Sequence, residues 1–272
     1  LPEQRLMALW QGLGYYSRAR NLQRAAVVLA EQYGGALPCT YEELRALPGI
    51  GDYTAGAILS IAYGQAVPAV DGNVLRIASR LTGYEGNVLD GETRKIVREW
   101  MAEVVPADRP GDFNQALMDL GAAVCLPGVP LCEGCPLATL CTACREGRQA
   151  SLPVRVKKAG KRREARTVFL LEREGRTALR RRPESGLLAG LWEYPNDEGA
   201  LTETEAARQL AEWGLVPLEW RKRFQAKHVF THIVWEMTVY RLAVSGDGPA
   251  GWVWCDPAER GEYPMPTAFG KL

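Results

Sequence analysis

The chain contains 272 residues, of which 47% are hydrophobic, and its formal net charge is +1. This length and hydrophobic content predict two domains of ordinary size, each with a buried core. No apolar run approaches the roughly 20 residues that span a bilayer, which excludes a membrane partner and predicts a soluble, cytoplasmic protein. A net charge near zero also excludes a broad positive field, so any affinity for nucleic acid must depend on local groups.

Residues 1–145 are expected to form an all-α domain. Apolar residues recur at helical spacing, as at Leu6, Leu9 and Leu13, and glycines and prolines divide the pattern into short helices. Residues 146–166 are rich in arginine and lysine and poor in apolar residues, which is typical of a solvated linker. Contact between this linker and DNA phosphates is the alternative.

Residues 167–272 are expected to form a separate α+β domain, because predicted strands surround one predicted helix. The strands are predicted from β-branched and aromatic residues bounded by turn residues. The segments concerned are strands at 167–171, 177–179, 233–240 and 252–254, and a helix at 204–213.

The sequence Leu-Pro-Gly-Ile-Gly at residues 47–51 predicts a tight turn between two helices. Two glycines around one apolar residue allow conformations that a Cβ would oppose, so that backbone N–H groups face outward where the next helix begins. Outward amides at a helix N-terminus bind phosphate without reading base sequence. Gly49, Ile50 and Gly51 are therefore candidate DNA-binding residues, and a purely structural turn is the alternative.

Asp71 precedes another predicted helix, within the sequence Val-Asp-Gly-Asn-Val at residues 70–74. An aspartate before a helix is usually an N-cap or turn residue. Spacing alone therefore predicts a structural role for Asp71.

Four cysteines, Cys125, Cys132, Cys135 and Cys141, are separated by six, two and five residues. Thiolates at these spacings can converge on a small volume, which favours a [4Fe-4S] cluster bound by the loop 125–141. Zinc is the alternative because Cys132 and Cys141 each begin a Cys-x2-Cys pair, but zinc pairs are usually separated by roughly 12 to 20 residues. Disulfides are disfavoured because seven is an odd number and no signal peptide precedes the cysteines. Cys144 is a candidate substitute ligand.

The hairpin, the Val-Asp-Gly-Asn-Val segment and the cysteine ladder, in this order, resemble the endonuclease III superfamily of base-excision DNA glycosylases. Within that superfamily the chain is similar to the adenine DNA glycosylases of the MutY type, which remove adenine mispaired with 8-oxoguanine. Residues 12–21, 113–117 and 230–232 also fit this subgroup. The resemblance implies a monomeric, nucleoid-associated protein whose partner is double-stranded DNA with 8-oxoguanine:adenine or guanine:adenine mispairs.

The resemblance implies that Asp71 is catalytic, because a carboxylate stabilises the oxocarbenium-like transition state of glycosidic cleavage. Asn73 and Tyr53 would line the same site, and Gln115 would touch the adenine once it is swung out of the helix. Bifunctional relatives carry a lysine where this chain has Tyr53, and its amine forms a Schiff base. Tyr53 therefore predicts a monofunctional glycosylase.

The resemblance also implies DNA contacts by Tyr15, Arg18 and Arg20. Tyr15 would wedge into the duplex beside the oxidised guanine, and the two arginines would contact phosphates. Because adjacent aromatic residues on an amphipathic helix are often core residues, we expect one of Tyr15 and Tyr16 to be buried.

The second domain is expected to be Nudix-like and to recognise 8-oxoguanine through Phe230, Thr231 and His232, with a hydroxyl at position 231 where relatives often have serine. A working Nudix hydrolase needs a helix of magnesium-binding acids, and residues 207–214 retain only Glu212 of them. Nucleotide hydrolysis is therefore disfavoured, and recognition is the expected role.

One part of the family pattern is not found in these 272 residues. Relatives use a glutamate, several dozen residues upstream of the segment that begins at Gly12, as the general acid, and Glu3 lies too close to Gly12 to replace it. The polypeptide by itself is therefore expected to be nearly inactive, with both of its ends incomplete. The alternatives are a non-catalytic lesion-binding fragment and an endonuclease III-like pyrimidine glycosylase, which Tyr53 and the second domain oppose.

Overall fold

A computed structural model describes residues 1–156, 160–270 and 272. The chain divides into two compact units. One unit is Asn21–Lys158, and the other combines Leu1–Arg20 with Ala159–Leu272. The centre of the predicted linker, Lys157, Lys158 and Ala159, lies outside the described residues. In the described ranges, none of the helices combines the length and apolarity needed to cross a membrane.

Every regular element as far as Arg145 is helical, which confirms the prediction of an all-α first part. The α-helices are α1 (Glu3–Leu9), α2 (Ser17–Gln32), α3 (Tyr41–Ala46), α4 (Asp52–Tyr63), α5 (Gly72–Thr82), α6 (Gly91–Val104), α7 (Pro110–Asp119) and α8 (Thr142–Arg145). A π-helical turn, Leu120–Val124, continues α7, and two short 3₁₀ turns follow at Cys132–Gly134 and Ala138–Leu140.

The helical unit contains two groups of buried apolar side chains. The first joins α2, α3 and α4 through Ala25, Leu44, Leu47, Ala55 and Leu59. The second joins α5 and α6 through Val74, Leu75, Ala78, Val88, Val97 and Met101. Burial of these faces fixes where α4 and α5 begin, and each of these two helices starts beside a predicted site residue.

The other unit contains a mixed seven-stranded sheet, the helix α9 (Glu203–Glu212), the helix α1 and the first residues of α2. The strands are β1 (Arg162–Arg173), β2 (Arg176–Arg181), β3 (Trp192–Glu193), β4 (Asn196–Glu198), β5 (Val216–Val229), β6 (Ile233–Ser245) and β7 (Val253–Cys255). Their main order is β3-β2-β1-β6-β5, with β4 paired to β1 and β7 paired to β2. The pair β1 and β6 is parallel, and the other pairs are antiparallel.

Successive residues of β1 point to opposite faces of the sheet, and both faces are buried. Val168 and Leu170 join one apolar group, whereas Phe169 and Leu171 join the group that contains Leu210 of α9. Such double burial is why residues 168–171, at the centre of β1, form a continuous apolar run. The strands and the helix predicted for this part of the chain are confirmed, and β1 begins earlier than predicted, at Arg162.

The helix α9 packs against the sheet by its apolar side. A capping box formed by Thr202 and Glu205 starts it, and Leu210 is fully buried. Trp213 packs edge-on against Phe169, with ring centroids 5.2 Å apart. Leu210 is thus a core residue, and the partly buried Trp213 covers the same apolar group.

Candidate active site and DNA interface

The predicted turn joins α3 to α4 in the helical unit. Gly49 has a φ of +81°, in the left-handed region where a Cβ is strained, and an added Cβ would lie 2.6 Å from Cβ of Asn21. The guanidinium of Arg45 donates a 2.6 Å hydrogen bond to the carbonyl oxygen of Ile50. Because α4 begins immediately after Gly51, the free amides of its first turn lie beside this braced turn.

Asp52, the first residue of α4, is held by two arginines. Its Oδ1 lies 2.6 Å from Nε of Arg45, and its Oδ2 lies 3.0 Å from Nη2 of Arg98. Burial, followed by the Asp52 carboxylate, raises the pKa of Tyr41. The two arginines compensate a carboxylate that would otherwise repel phosphate at this helix N-terminus. Neither arginine was predicted from the sequence, because only the folded chain brings them to one carboxylate.

Asp71 is the N-cap of α5. Its Oδ1 accepts hydrogen bonds from the backbone N–H groups of Asn73 (2.8 Å) and Val74 (2.9 Å), and its Oδ2 accepts one from the side-chain amide of Asn73 (3.1 Å). The structural role predicted from spacing is therefore confirmed. Capping also fixes the carboxylate in one orientation, which a catalytic carboxylate requires.

The segment that leads to Asp71 is held from both sides. The buried side chain of Asn114 in α7 accepts a hydrogen bond from the N–H of Ala69 and donates one to the carbonyl of Val67, each 3.0 Å long. A Cβ on Gly56 would lie only 2.3 Å from the carbonyl oxygen of Pro68, so α4 packs directly on this segment. Asn114 thus positions this segment. The sequence indicated it only as one member of the family-like segment 113–117.

Asn73 connects Asp71 to a buried arginine. Nη2 of Arg76 donates to the side-chain oxygen of Asn73 (3.0 Å) and to the carbonyl of Gly121 (2.7 Å), and its Nε donates to the carbonyl of Cys125 (2.7 Å). Burial lowers the pKa of Arg76, an effect that the Cys125 side chain opposes. The side chain of Asn73 is therefore oriented from both ends.

Gly121 provides a direct test of that orientation, because an added Cβ there would lie 2.6 Å from Cβ of Asn73. Gly121→Ala should displace Asn73 and lower the activity of this site by about tenfold or more, as small displacements near reacting groups do. The measurement is a single-turnover rate. Gly91→Ala, where a Cβ meets nothing within 4 Å, is the control, and equal rates for the two variants would contradict this role of Gly121.

Tyr53 lies on the first turn of α4 near Asp71. Its hydroxyl lies 3.5 Å from Sδ of Met118, and its side chain is partly exposed. Burial, followed by the Asp71 carboxylate, raises the pKa of Tyr53. The phenol is therefore protonated at neutral pH. Gln115 is exposed on α7 and donates to the carbonyl of Gly111 (3.3 Å).

The four predicted cysteines line one cavity, together with Cys144, Arg80 and Gln149. The guanidinium of Arg80 donates to Sγ of Cys125 at 3.4 Å. Among the residues that the structure describes, no three or more histidine, cysteine, aspartate or glutamate side chains are arranged around a single metal ion. A [4Fe-4S] cluster has a different geometry, since its four cysteines bind different iron atoms. The set of soft thiol donors around one cavity fits such a cluster.

The sheet-containing unit has its own cleft, of about 720 Å³, at one end of β5 and β6. It is lined by residues 12–17 and 228–233 and by neighbouring residues, and thus brings Tyr15 together with Phe230, Thr231 and His232. Tyr15 is 72% exposed and Tyr16 is 6% exposed, which confirms that one of the two tyrosines is buried. Tyr15 also has a positive φ of 48°, an uncommon conformation for a residue with a side chain.

The loop that connects β5 to β6 is braced from the start of β1. Nζ of Lys161 donates to the carbonyl of Phe230 (2.8 Å), and the N–H of Arg162 donates to the carbonyl of His232 (3.0 Å). The ring of Phe230 packs edge-on against Trp235 at 4.9 Å. Thr231 and His232 are exposed at the tip of the loop and line the cleft. Their side chains are therefore accessible, whereas the loop backbone is fixed.

The two arginines predicted to contact DNA differ in their surroundings. The guanidinium of Arg18 lies 5.6 Å from the ring centroids of both Trp10 and Tyr15, and this side chain is exposed. Arg20 is mostly buried, where it forms an ion pair with Glu3 at 2.8 Å and donates to the carbonyl of Ala189.

Comparisons with known proteins agree with this two-part organisation. Residues 1–103 match the family described as "HhH-GPD superfamily base excision DNA repair protein", and residues 167–272 match the NUDIX domain. The adenine DNA glycosylase of Homo sapiens is 35% identical over an alignment that covers 97% of this chain and 59% of the human protein. The corresponding values for the Rattus norvegicus enzyme are 36%, 89% and 57%, and for the Arabidopsis thaliana enzyme 43%, 69% and 32%.

The chain therefore belongs to the helix-hairpin-helix superfamily of base excision DNA repair proteins, and its second part is a Nudix-like domain. Within that superfamily it is a relative of the adenine DNA glycosylases. It spans 57% and 59% of the length of the rat and human relatives. The resemblance and the fold class predicted from the sequence are confirmed.

Proposed function

We propose that the chain provides the catalytic carboxylate and the lesion-recognition cleft of an adenine DNA glycosylase that acts on adenine paired with 8-oxoguanine or guanine. The observation that supports this most directly is the environment of Asp71. Two backbone amides occupy its Oδ1, whereas Oδ2 accepts only the Asn73 amide among the hydrogen bonds of the described residues. One oxygen thus anchors the side chain, and the other keeps acceptor capacity for a developing positive charge.

Hydrolysis breaks the bond between C1′ of deoxyribose and N9 of adenine, and the electron pair leaves with the base. The positive charge that develops on the sugar is stabilised by the Asp71 carboxylate. Water then adds to C1′ and releases one proton, and the departing adenine gains one. No residue that the structure describes is assigned as the donor of that proton.

Tyr53 supports a monofunctional reaction. Its phenol cannot form a Schiff base, and the raised pKa makes it a hydrogen-bond donor at neutral pH. It can therefore orient Asp71 or water without forming a covalent bond to the sugar. The expected product is an intact strand with an abasic site.

The hairpin supports binding of the DNA backbone. Gly49, Ile50 and Gly51 present amides beside the N-terminus of α4, and Arg45 fixes their conformation. Amides of this kind position a duplex without selecting its sequence. In the same proposal Arg18 contacts phosphates and Gln115 contacts the extruded adenine. Arg20 is mostly buried and paired with Glu3, so the phosphate contact expected of it from the sequence is not proposed.

The cleft of the other unit supports recognition of 8-oxoguanine. Thr231 offers a hydroxyl and His232 an imidazole, both of which can donate and accept hydrogen bonds, and Tyr15 offers an aromatic face on which a base can stack. An oxidised guanine differs from guanine along one base edge, so fixed hydrogen-bonding groups on a braced loop can discriminate between the two.

Thr231→Val tests this recognition because valine has nearly the same shape but lacks the hydroxyl. In the variant, the ratio of the affinity for 8-oxoguanine:adenine duplex to the affinity for guanine:adenine duplex should fall about tenfold, as expected for one lost hydrogen bond. Equilibrium binding to the two duplexes provides the ratio. Thr267→Val, which changes another threonine of the same cleft, is the control, and an unchanged ratio in Thr231→Val would rule out the hydroxyl as a reading group.

The same proposal includes a [4Fe-4S] cluster bound by Cys125, Cys132, Cys135 and Cys141, which line one cavity. When bound, the cluster would hold the loop 125–141 in shape, since cleavage of a glycosidic bond transfers no electrons to it. Arg76 and Arg80 would place positive charge beside the anionic thiolates of this loop.

The proposed function is tested by a single-turnover assay on duplex DNA with adenine opposite 8-oxoguanine. The protein should be expressed at whatever length its reading frame encodes, so that the proton donor is included. Alkali-labile abasic sites should form on this duplex and not on one with thymine opposite adenine. Tight and selective binding without any base release would instead establish a lesion-binding protein.

A further inference from the structure

Cys144 is a fifth thiol at the cavity of the four predicted cluster ligands. It lies in α8, three residues after Cys141, and its side chain lines the same cavity. Its side chain contacts that of Cys132. The two remaining cysteines differ from it, because Cys39 is exposed and Cys255 lies in the sheet-containing unit.

The position of Cys144 is fixed by packing. Ala143, the preceding residue in α8, is fully buried. Thr142 packs so closely on Gly83 that a Cβ added to Gly83 would lie 2.8 Å from Cγ2 of Thr142. The side chain of Gln149 lies 3.9 Å from Sγ of Cys132 and also hydrogen-bonds to Cys144. The packed helix α8 thus holds Cys144 beside Cys132, which lies in the 3₁₀ turn Cys132–Gly134.

We infer that Cys144 is a reserve ligand of the cluster, which binds the iron of Cys132 when that residue is unavailable. This inference rests on the proposed [4Fe-4S] site. In the exchange the bond between iron and the sulfur of residue 132 is lost, a bond between iron and Sγ of Cys144 forms, and the thiol proton of Cys144 passes to solvent. No electron is transferred. Because neighbouring thiols differ little in position, the exchange requires movement of side chains and not of the fold.

The test uses the whole chain, reconstituted without oxygen from iron and sulfide. Wild type and Cys144→Ala should each bind about four irons, as a [4Fe-4S] cluster requires. Cys132→Ala should retain at least about half of that iron, whereas the double variant Cys132→Ala with Cys144→Ala should fall to about a tenth. Cys132→Ala with Cys39→Ala is the matched control and should behave like Cys132→Ala alone. Iron and sulfide content and visible absorption are the readouts.

The different positions of Cys125 and Cys132 provide a second contrast. The side chain of Cys144 contacts Cys132, whereas Sγ of Cys125 accepts a hydrogen bond from Arg80, so Cys125→Ala should lose its iron even though Cys144 is present. If Cys132→Ala binds as little iron as the double variant while wild type binds about four irons, the role of Cys144 as a reserve ligand is refuted and the proposed cluster is retained. If wild type itself binds no iron or sulfide, the proposed cluster is refuted and the inference with it.

A second measurement decides the matter if Cys132→Ala does not fold. Wild type, Cys144→Ala and Cys39→Ala should all reconstitute, and their clusters can be followed by absorption in the presence of an iron chelator. Cys144→Ala should lose its cluster about threefold faster than the other two, because a ligand that dissociates has no neighbour to replace it. Equal rates in all three proteins would overturn the inference.

Discussion

Asp71→Asn should lower the single-turnover rate of adenine release by about 10³-fold, because it removes the charge that stabilises the sugar cation. Asparagine is as good an N-cap as aspartate, so the hydrogen bonds to the backbone of Asn73 and Val74 are retained and α5 should form normally. The new amide would face the side-chain amide of Asn73, donor to donor, which should reduce stability by about 1 kcal/mol.

The rate should be measured with enzyme in excess over an 8-oxoguanine:adenine duplex, alongside the dissociation constant for the same duplex. Asp108→Asn, an exposed aspartate of the same unit, should leave both quantities unchanged. A rate for Asp71→Asn within tenfold of wild type would show that this carboxylate does not act on the reacting sugar.

Arg80→Met should open the cysteine loop. Arg80 is 3% exposed, and its guanidinium donates to the carbonyls of Leu126 (2.8 Å), Leu152 (2.9 Å) and Gln149 (3.1 Å) and to Sγ of Cys125 (3.4 Å). Methionine fills a similar volume but leaves these acceptors without their donor. Since each buried acceptor left unsatisfied costs about 1–3 kcal/mol, local opening should become easier by at least about 3 kcal/mol.

Amide hydrogen exchange of residues 120–153 measures this opening free energy directly. The control is Arg24→Met, which removes an exposed arginine on α2 and should change the exchange of that segment by less than about 0.5 kcal/mol. Protection in Arg80→Met equal to that of the control would mean that the loop does not depend on the buried guanidinium.

The hairpin and the capping aspartate could be predicted from the sequence because both are local. Glycines at positions 49 and 51 and an aspartate before an apolar helix act through residues within three or four positions. Tyr53 and Asp71 are different, since composition does not indicate that they lie near each other. Their pairing followed only from the resemblance to known glycosylases, and in the structure it depends on the packing of α4 against residues 68–69.

The buried arginines could not be predicted, because arginine is usually a surface residue. Arg76 and Arg80 are buried on α5, and their backbone acceptors lie 45 to 72 residues further along the chain. No local pattern records such distant partners.

The strand β5 could not be predicted from the sequence either. Its exposed, positively charged residues, among them Arg221, Lys222 and Arg223, interrupt the alternation of polar and apolar residues. No residue of β5 is fully buried, which weakens the pattern that identifies strands.

The anchoring of the loop between β5 and β6 has a mechanical consequence. Lys161 and Arg162, which hold the carbonyls of Phe230 and His232, lie where the strand β1 begins. A displacement at the start of β1 would therefore move the backbone of this loop, and a ligand that displaces the loop would strain the start of β1 in return.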